Sequence, residues 1–466
     1  MKFYNTMNRK IEEFIPQDPT NVKIYCCGPT VYDFAHLGNL RTFIFYDILR
    51  RSLVYAGFKV KQVMNITDVD DKMIKNSKKR GMALKEYAAM YTKYLFDDLR
   101  DLNISEFESY PRATESVDEM KTIIYGLLKK GYAYKSDDGI YYNVSKFEDY
   151  GKLSHASFKS NVARIKNDEY DKESAADFAL WKDWTKEDEN VFWEDGIQKG
   201  RPGWHIECSA MSIKHLGETL DIHSGGIDLI FPHHENEIAQ SEAYTGKPFV
   251  RYWLHPGHLF VNEKKMSKSL HNFYTLRDLE KLGFDPLSFR LMTLDVHYRA
   301  VLDLHLDTLK KYEKTLEDID ITMKSFDKLE RGDYSSDKDS LKSAKIALNG
   351  FKDAVLEDLN LPLAMTQLFR LIDIINKKVA EGKINQSDYE ELRNAVFEMD
   401  SVLGIIKSYN VPQEIITLAN ERKELRDKKA WMEADKKRTI INDAGFKIID
   451  LANSNYIIIK NRKYGR

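Results

Sequence analysis

Apolar and polar positions over the first hundred residues alternate in a strand, helix, strand order. "NVKIYCCGPT" (21–30) is a short β-prone run halted by Gly28 and Pro29. In "HLGNLRTFIFYDILRRSLVYAG" (36–57), Leu40, Phe43, Ile44, Ile48 and Val54 fall near helical spacing, and Gly57 can end the helix. "FKVKQVMNITDVDD" (58–71) predicts a second strand. Strand, helix and strand within about 45 residues predict a parallel crossover and a doubly wound sheet. Ligands of such sheets lie beyond the carboxyl ends of the strands, which places 26–39 and 65–71 at a site.

From about Tyr110 to Gly200 the pattern changes. "GYAYKSDDGIYYNVSKFEDYGKLS" (131–154) predicts a hairpin-rich insertion with aromatic turns. The sheet pattern resumes in "TLDIHSGGIDLIF" (219–231), a strand followed by a glycine turn. "PHHENEIAQSEAYTG" predicts a helix opened by Pro232 and closed by Gly246, and "YWLHPGHLFVN" (252–262) one further strand. After about Asp295 the periodicity is almost wholly helical, with a polar linker at "ERGDYSSDKDS" (330–340) and a boundary at "SYNVPQE" (408–414). The expected layout is 1–109 and 201–300 as the two halves of a nucleotide-binding domain, 110–200 as the insertion, 301–408 as a helical bundle and 409–466 as a small C-terminal domain.

A chain of 466 residues exceeds one ordinary core. No apolar run reaches the roughly 18 residues of a membrane span, and "MKFYNTMNRKIEEF" lacks the apolar segment of a secretion signal. A soluble, cytoplasmic protein is expected. Net charge is −2, but Glu421–Arg466 carries 13 Lys/Arg against 7 Asp/Glu, a basic segment able to meet phosphates. The three cysteines, Cys26, Cys27 and Cys208, are too few and too odd in number for a disulfide framework, so metal or catalytic use is favoured.

Three stretches carry candidate chemistry. In "FPHHENEIAQ" (231–240), His233 and Glu237 share a helix face while His234 pairs with Ile238, so the H-E-x-x-H zinc-protease pattern fails. His233 and Glu237 supply half a zinc shell, and Cys27 with Cys208 could complete it with two soft thiolates. "GPTVYDFAHLGN" (28–39) ends at a predicted helix N-terminus, where His36 and free backbone N–H groups could hold phosphates. "KKMSKSL" (264–270) sets Lys265 and Lys268 among serines, suited to a pyrophosphate leaving group.

These stretches, in this order and separated by an insertion, resemble class I aminoacyl-tRNA synthetases, and more narrowly the cysteinyl-tRNA synthetase family. "YCCGPTVYDFAHLGNLRT", "NITDVDDK", "RPGWHIECSAM", "DIHSGGIDLIFPHHENEIAQSEA" and "KMSKS" look like its diagnostic blocks, "LEDLNLPLA" like its bundle motif and "DKKAWMEADKKRTIINDAGF" like its anticodon-domain helix. The resemblance runs essentially end to end. It implies a Rossmann-type catalytic domain with an insertion, a helical bundle and an anticodon-binding C-terminal domain. It also implies ATP-dependent activation of L-cysteine and transfer to tRNA(Cys), with Mg²⁺ accompanying ATP.

Carried over by position, the resemblance implies one Zn²⁺ held by Cys27, Cys208, His233 and Glu237, leaving His234 and Glu235 outside its first shell. It implies ATP contacts from Pro29, His36, Gly38, Asn39, Asp228, Lys265 and Lys268, with His36, Lys265 and Lys268 catalytic. Gly28, Thr67 and Trp204 match the amino-acid pocket; Trp431, Asp435 and Arg438 match positions that meet tRNA. The family's first motif often ends in histidine, where this chain has Asn39, which is never cationic. His36 is therefore expected to stabilise more of the charge at the phosphates than Asn39 does. Zinc answers a selection problem: shape alone separates cysteine from serine by only about 10–200-fold, whereas a soft metal prefers sulfur. The insertion of about 90 residues is too small for an editing domain, which such a metal makes unnecessary. A monomer is expected. Two other readings carry the same ligands: a cysteine ligase of mycothiol synthesis, which has no need of the basic C-terminal module, and a non-catalytic zinc-containing tRNA-binding paralogue, which has no need of His36 and Lys268.

Overall fold

The first β-prone run forms β1, Val22–Cys26, and the periodic stretch after it forms α1, Leu37–Tyr55. Leu40, Phe43, Ile44 and Ile48 are buried, as their spacing requires, but Val54 is 53% exposed. Val54 lies about 240° round the helix from Ile48, and Ser52 and Leu53 occupy the inward stripe instead. The chain returns through β2, Val60–Met64, parallel to β1 with Cys26 opposite Met64.

This computed structural model describes residues 1–156, 163–165, 176–266, 272–451 and 455–461. The chain divides into two units, Met1–Arg100 with Ser105–His258, and Asp101–Ile104 with Leu259–Arg466. In the first unit, α2 (Trp204–Leu216), β3 (Leu220–Ser224), α3 (Glu235–Thr245) and β4 (Val250–Leu254) complete a four-stranded parallel sheet of order β4-β3-β1-β2. Strand order reverses between β1 and β3, so the crevice beyond Cys26 and Ser224 is where an open α/β sheet binds ligands.

The segment between β2 and α2 contains a helix, Val117–Lys130, and an antiparallel hairpin, Ala133–Lys135 with Gly139–Tyr142. Ala176–Asp183 lies beside Gly139–Tyr142 and is joined by Gly200–Pro202. Phe178, Trp181 and Tyr142 enter the same core as Tyr25, Val63, Ile206, Leu220 and Trp253.

"YWLHPGHLFVN" is not the single strand its composition predicts. Val250–Leu254 belongs to the parallel sheet, and Leu259–Val261 pairs with Lys264–Lys265 and Leu302–Leu304 in the second unit. Pro256 lies between them and lacks the N–H that a continuous ladder would need.

The second unit holds long helices at Leu306–Phe326, Lys338–Leu356, Leu361–Glu381 and Gln386–Leu403. The expected linker at 330–340 is partly ordered into a strand, Glu330–Gly332, parallel to Lys383–Asn385. Helices Gln413–Asp427 and Trp431–Asp443 follow, then a hairpin of Phe446–Asp450 with Tyr456–Lys460. Ile415, Ala419, Ile441 and Ile448 form their small core. Buried Arg422 joins its two amino groups to the Asp450 carboxylate at 2.7 and 2.9 Å. Among the described residues no helix is long and apolar enough to cross a membrane.

Candidate active site and metal centre

Four chain segments meet at the crevice. Cys27 follows β1, Cys208 sits midway along α2, His233 lies in the turn over Ile230–His234, and Glu237 is in the first turn of α3. One ligand atom from each lies within 4.8 Å of all the others, and all four residues are buried. His233 Nε2 is 3.1 Å from Glu237 Oε1, the i, i+4 pairing expected of a helix face. The two ligand helices are fixed to each other by polar bonds: Gln240 Nε2 and Ser241 Oγ each reach Ser209 Oγ at 2.7 Å.

The same cavity floor offers a second set, Cys27, His223, His234 and Glu237, also within 4.8 Å. His223 Nε2 meets Glu237 Oε2 at 2.9 Å, and His234 Nε2 lies 3.3 Å from Cys27 Sγ. The second-nitrogen contacts favour the first set. A metal-bound imidazole steadies itself through its other nitrogen. His233 does so, since its Nδ1 meets His205 Nδ1 at 2.9 Å, whereas His223 Nδ1 is buried with no hydrogen-bond partner. Two sulfurs, one imidazole and one carboxylate are also a suitable donor set for zinc.

The electrostatics suit a bound cation. Burial works to raise the Glu237 carboxyl, but His223 and His233 pull it down to about 2. Burial works against protonated His233, yet Glu237 and the Cys208 sulfur push it up to about 10. Of the two thiols, Cys27 is raised by burial, while the hydrogen bond from Cys27 draws Cys208 down to about 6. Cys208 is thus the more readily ionised member of the pair.

A chain of neutral rings supports Cys27 from behind. His234 Nδ1 meets His255 Nε2 at 2.8 Å, and His255 Nδ1 meets Thr6 Oγ1 at 2.8 Å. Burial holds both rings neutral, His234 well below its usual range and His255 down to about 3. A neutral imidazole donates once and accepts once. If Cys27 is a thiolate it must accept, so Thr6 donates to His255, His255 to His234, and His234 to the sulfur.

Trp204, Thr67 and Gly28 are the residues expected to line the amino-acid pocket. The Trp204 ring stacks on His233 at 4.2 Å and 29°. Buried Thr67 donates to Glu207 Oε2 at 2.8 Å. Gly28 N donates to Asn65 Oδ1 at 2.8 Å, and a Cβ on Gly28 would stand 1.7 Å from Asn65 O, so only glycine fits. Pro29 O accepts from Thr67 N at 3.2 Å, joining the loops after β1 and β2.

His36 and Asn39 form a reciprocal cap on α1. His36 Nδ1 accepts from Asn39 N at 3.1 Å, and Asn39 Oδ1 accepts from His36 N at 3.3 Å. In this arrangement the His36 ring carries its hydrogen on Nε2. Gly38 lies in the same first turn, and its carbonyl accepts from Thr42 Oγ1 at 3.3 Å. Asp228 is exposed in the turn after β3. A Cβ on Gly225 would come within 2.6 Å of the His234 ring, so this glycine makes room for a side chain of the protein itself, a purpose distinct from the close approach of a ligand.

Lys265 is exposed in the short strand Lys264–Lys265 of the second unit, and Lys268 lies outside the described residues. Trp431, Asp435 and Arg438 share one exposed face of their helix at i, i+4 and i+7, with Trp431 55% exposed under the Arg426 guanidinium. Sequence reasoning missed His205, His223 and His255 as neighbours of Cys27, Cys208, His233 and Glu237; His234, expected outside the first shell, lies 3.3 Å from Cys27 Sγ. The signal available was "DIHSGG": a histidine inside a fully buried strand needs a polar partner.

The model for the "tRNA synthetases class I (C) catalytic domain" matches residues 13–314, and that for the "DALR domain" matches 350–407. The chain is 43% identical over 455 residues to the cysteine–tRNA ligase of Chlamydia pneumoniae, covering 96% of each. It is 42% identical over 460 residues to that of Caldicellulosiruptor saccharolyticus, covering 97% of this chain and 98% of that one. Among solved structures, Mycobacterium tuberculosis methionyl-tRNA synthetase with methionyl-adenylate superimposes with a TM-score of 0.57 at 13% identity, over 83% of this chain and 90% of that one. This last likeness is one of fold. The chain belongs to the cysteine–tRNA ligase family of class I tRNA synthetases.

Proposed function

We propose that this chain is a cytoplasmic, monomeric cysteine–tRNA ligase that activates L-cysteine with ATP and transfers it to the 3′ end of tRNA(Cys). The observation that carries this reading is the convergence of Cys27, Cys208, His233 and Glu237 at the crevice of a class I catalytic sheet. A Zn²⁺ held by these four residues supplies a soft acceptor for the substrate sulfur that the hydroxyl of serine satisfies poorly.

The remaining residues position and compensate charge. Trp204 walls the pocket beside His233, and Thr67, fixed by Glu207, faces the amino-acid backbone. At the phosphates, the N-terminus of α1 presents the Leu37 and Gly38 N–H groups left over by the cap, and His36 its Nε2–H. Mg²⁺ accompanies ATP. The cysteine carboxylate attacks the α-phosphorus in line, and the bond to the pyrophosphate oxygen breaks. Lys265 and Lys268 compensate the charge on the departing pyrophosphate. A hydroxyl of the terminal tRNA ribose then attacks the carbonyl carbon of the adenylate, forming the ester and releasing AMP. Trp431 stacks a tRNA base, Asp435 accepts hydrogen bonds from one, and Arg438 meets phosphate.

Cysteine-dependent ATP–pyrophosphate exchange, followed by charging of tRNA(Cys), tests the reading. Exchange with charging supports it. Exchange without charging points to a cysteine ligase acting on another acceptor, and no exchange to a binding-only protein; either result refutes it. Stripping the metal should abolish the preference for cysteine over serine; unchanged preference would refute the role given to zinc.

A further inference from the structure

The metal reading uses two of the polar letters in "HHENE" and leaves Glu235 and Asn236 without a purpose. Glu235 is fully buried and points away from the ligands: it lies about 200° round the helix from both His233 and Glu237. Its carboxylate is enclosed by backbone of the insertion. Oε1 accepts from Gly151 N at 2.9 Å; Oε2 accepts from Leu153 N at 3.2 Å and Ser154 N at 2.8 Å. Three N–H groups converging on one carboxylate form an anion-binding nest. Beside it, Tyr150 donates to Asn236 Oδ1 at 2.5 Å, and Arg9 Nη2 donates to Ser154 O at 3.1 Å, closing the loop from outside.

We infer that the turn over Tyr150–Ser154 is a clamp on the back of the ligand helix, and that Glu235 is a positioning residue for the metal site. The inference rests on the zinc reading above and adds a purpose for the insertion. His233 comes from the turn that leads into α3, and Phe231, two residues before it, is extended, so no regular helical turn precedes His233 to hold that end of α3 in place. The nest fixes the first turn of α3 from the opposite side. Without it, the turn that carries His233 is free to shift relative to Cys27 and Cys208, which are held by other elements. The supports further along α3 differ in kind. Tyr142 donates to Ala239 O at 2.9 Å, and Lys152 pairs with Glu242 at 2.5 Å; both lie beyond the ligand turn.

The test uses the full chain and measures zinc affinity by competition with a chelator, alongside the KM values for cysteine and ATP. Glu235→Gln places an amide N–H₂ among three backbone donors, and Tyr150→Phe removes one bond on the insertion side without touching α3. Loss of a group that supports metal ligands typically costs about 10–100-fold in metal affinity. Glu235→Gln is expected in that range, with a matching rise in the KM for cysteine and an unchanged KM for ATP. Tyr150→Phe should move the same two quantities by about 2–5-fold, on the loss of one net hydrogen bond. Lys152→Ala should leave zinc affinity unchanged. If both clamp variants melt at lower temperature but keep zinc affinity and the KM for cysteine within about twofold of wild type, the turn is structural glue only and the inference is overturned. If the wild-type chain itself binds no zinc, the reading beneath it has failed instead.

Discussion

Acid should loosen this protein in a way that reports on its histidine floor. His205, His234 and His255 are buried and held below the usual value of 6.5 by burial, His255 down to about 3. A base depressed in this way takes up its proton in the unfolded chain first, so the stability it contributes is present above 6.5 and lost as pH falls towards the folded value. Each such ring costs on the order of 1 kcal/mol between roughly pH 7.5 and pH 5.5, and the three together a few kcal/mol, a large share of a typical domain's stability. His233 has the opposite sign. Raised to about 10, it stabilises the metal-free fold fully below 6.5 and loses that contribution as pH rises through about 10. Metal-free protein should therefore lose stability as pH falls below about 6.5, while on the alkaline side the loss at His233 is opposed by Cys208, whose depressed value adds stability between about 6 and 9. A cation bound at His233 would leave the acid loss in place. Urea unfolding, followed by tryptophan fluorescence, measures this, because five of the six tryptophans lie in the unit that contains the site. Replacing His255 with Asn should reduce the acid loss by on the order of 1 kcal/mol over the same interval. A stability that is flat to within about 1 kcal/mol from pH 7.5 to 5.5, or a His255→Asn protein with the wild-type profile, refutes the reasoning.

Gly28→Ala drives a Cβ into the Asn65 carbonyl, and since backbone cannot rotate away, a loss of about 3 kcal/mol or more in thermal unfolding is expected, with a raised KM for cysteine. His36→Ala and Asn39→Ala each open the cap of α1 and should each cost about 1 kcal/mol of stability. Pyrophosphate exchange should fall further in His36→Ala, because only that change also removes the Nε2–H; a larger fall in Asn39→Ala would contradict the assignment. Trp431→Ala should leave cysteine-dependent exchange intact and weaken tRNA charging by about 1–3 kcal/mol in kcat/KM, since this exposed ring supports little of its own domain. Equal loss in both assays would show it to be structural.

The parallel sheet was legible because its strands are short β-prone runs set off by glycine and proline, and α1 because Leu40, Phe43, Ile44 and Ile48 form a helical stripe. Val54 misled because counting apolar residues ignores angle. The strand break at Pro256 was misread because apolar residues continue on both sides, and only tertiary placement sends them to different sheets. At the site, His233 and Glu237 could be paired from helical spacing alone. Their convergence with Cys27 and Cys208 could not, since nothing local relates positions so far apart. His223 and His255 escaped for a similar reason: each sits in or just after a buried strand, and its neighbours come from other segments. Asn39 looked like a weakened phosphate ligand when judged by charge. Its carbonyl oxygen also completes the cap that starts α1, a job that backbone geometry decides.

The spacing of the four donors has a mechanical consequence. Cys27 and Cys208 are about 180 residues apart, with the whole insertion between them, so a cation gripped by both closes a very large ring. In the chain-entropy picture a cross-link of that span is worth about 5 kcal/mol against the unfolded ensemble. If the proposed Zn²⁺ sits there, the ion that selects the amino acid would also be the stitch holding the two halves of a split sheet together, and zinc starvation would make the enzyme error-prone and fragile at the same time.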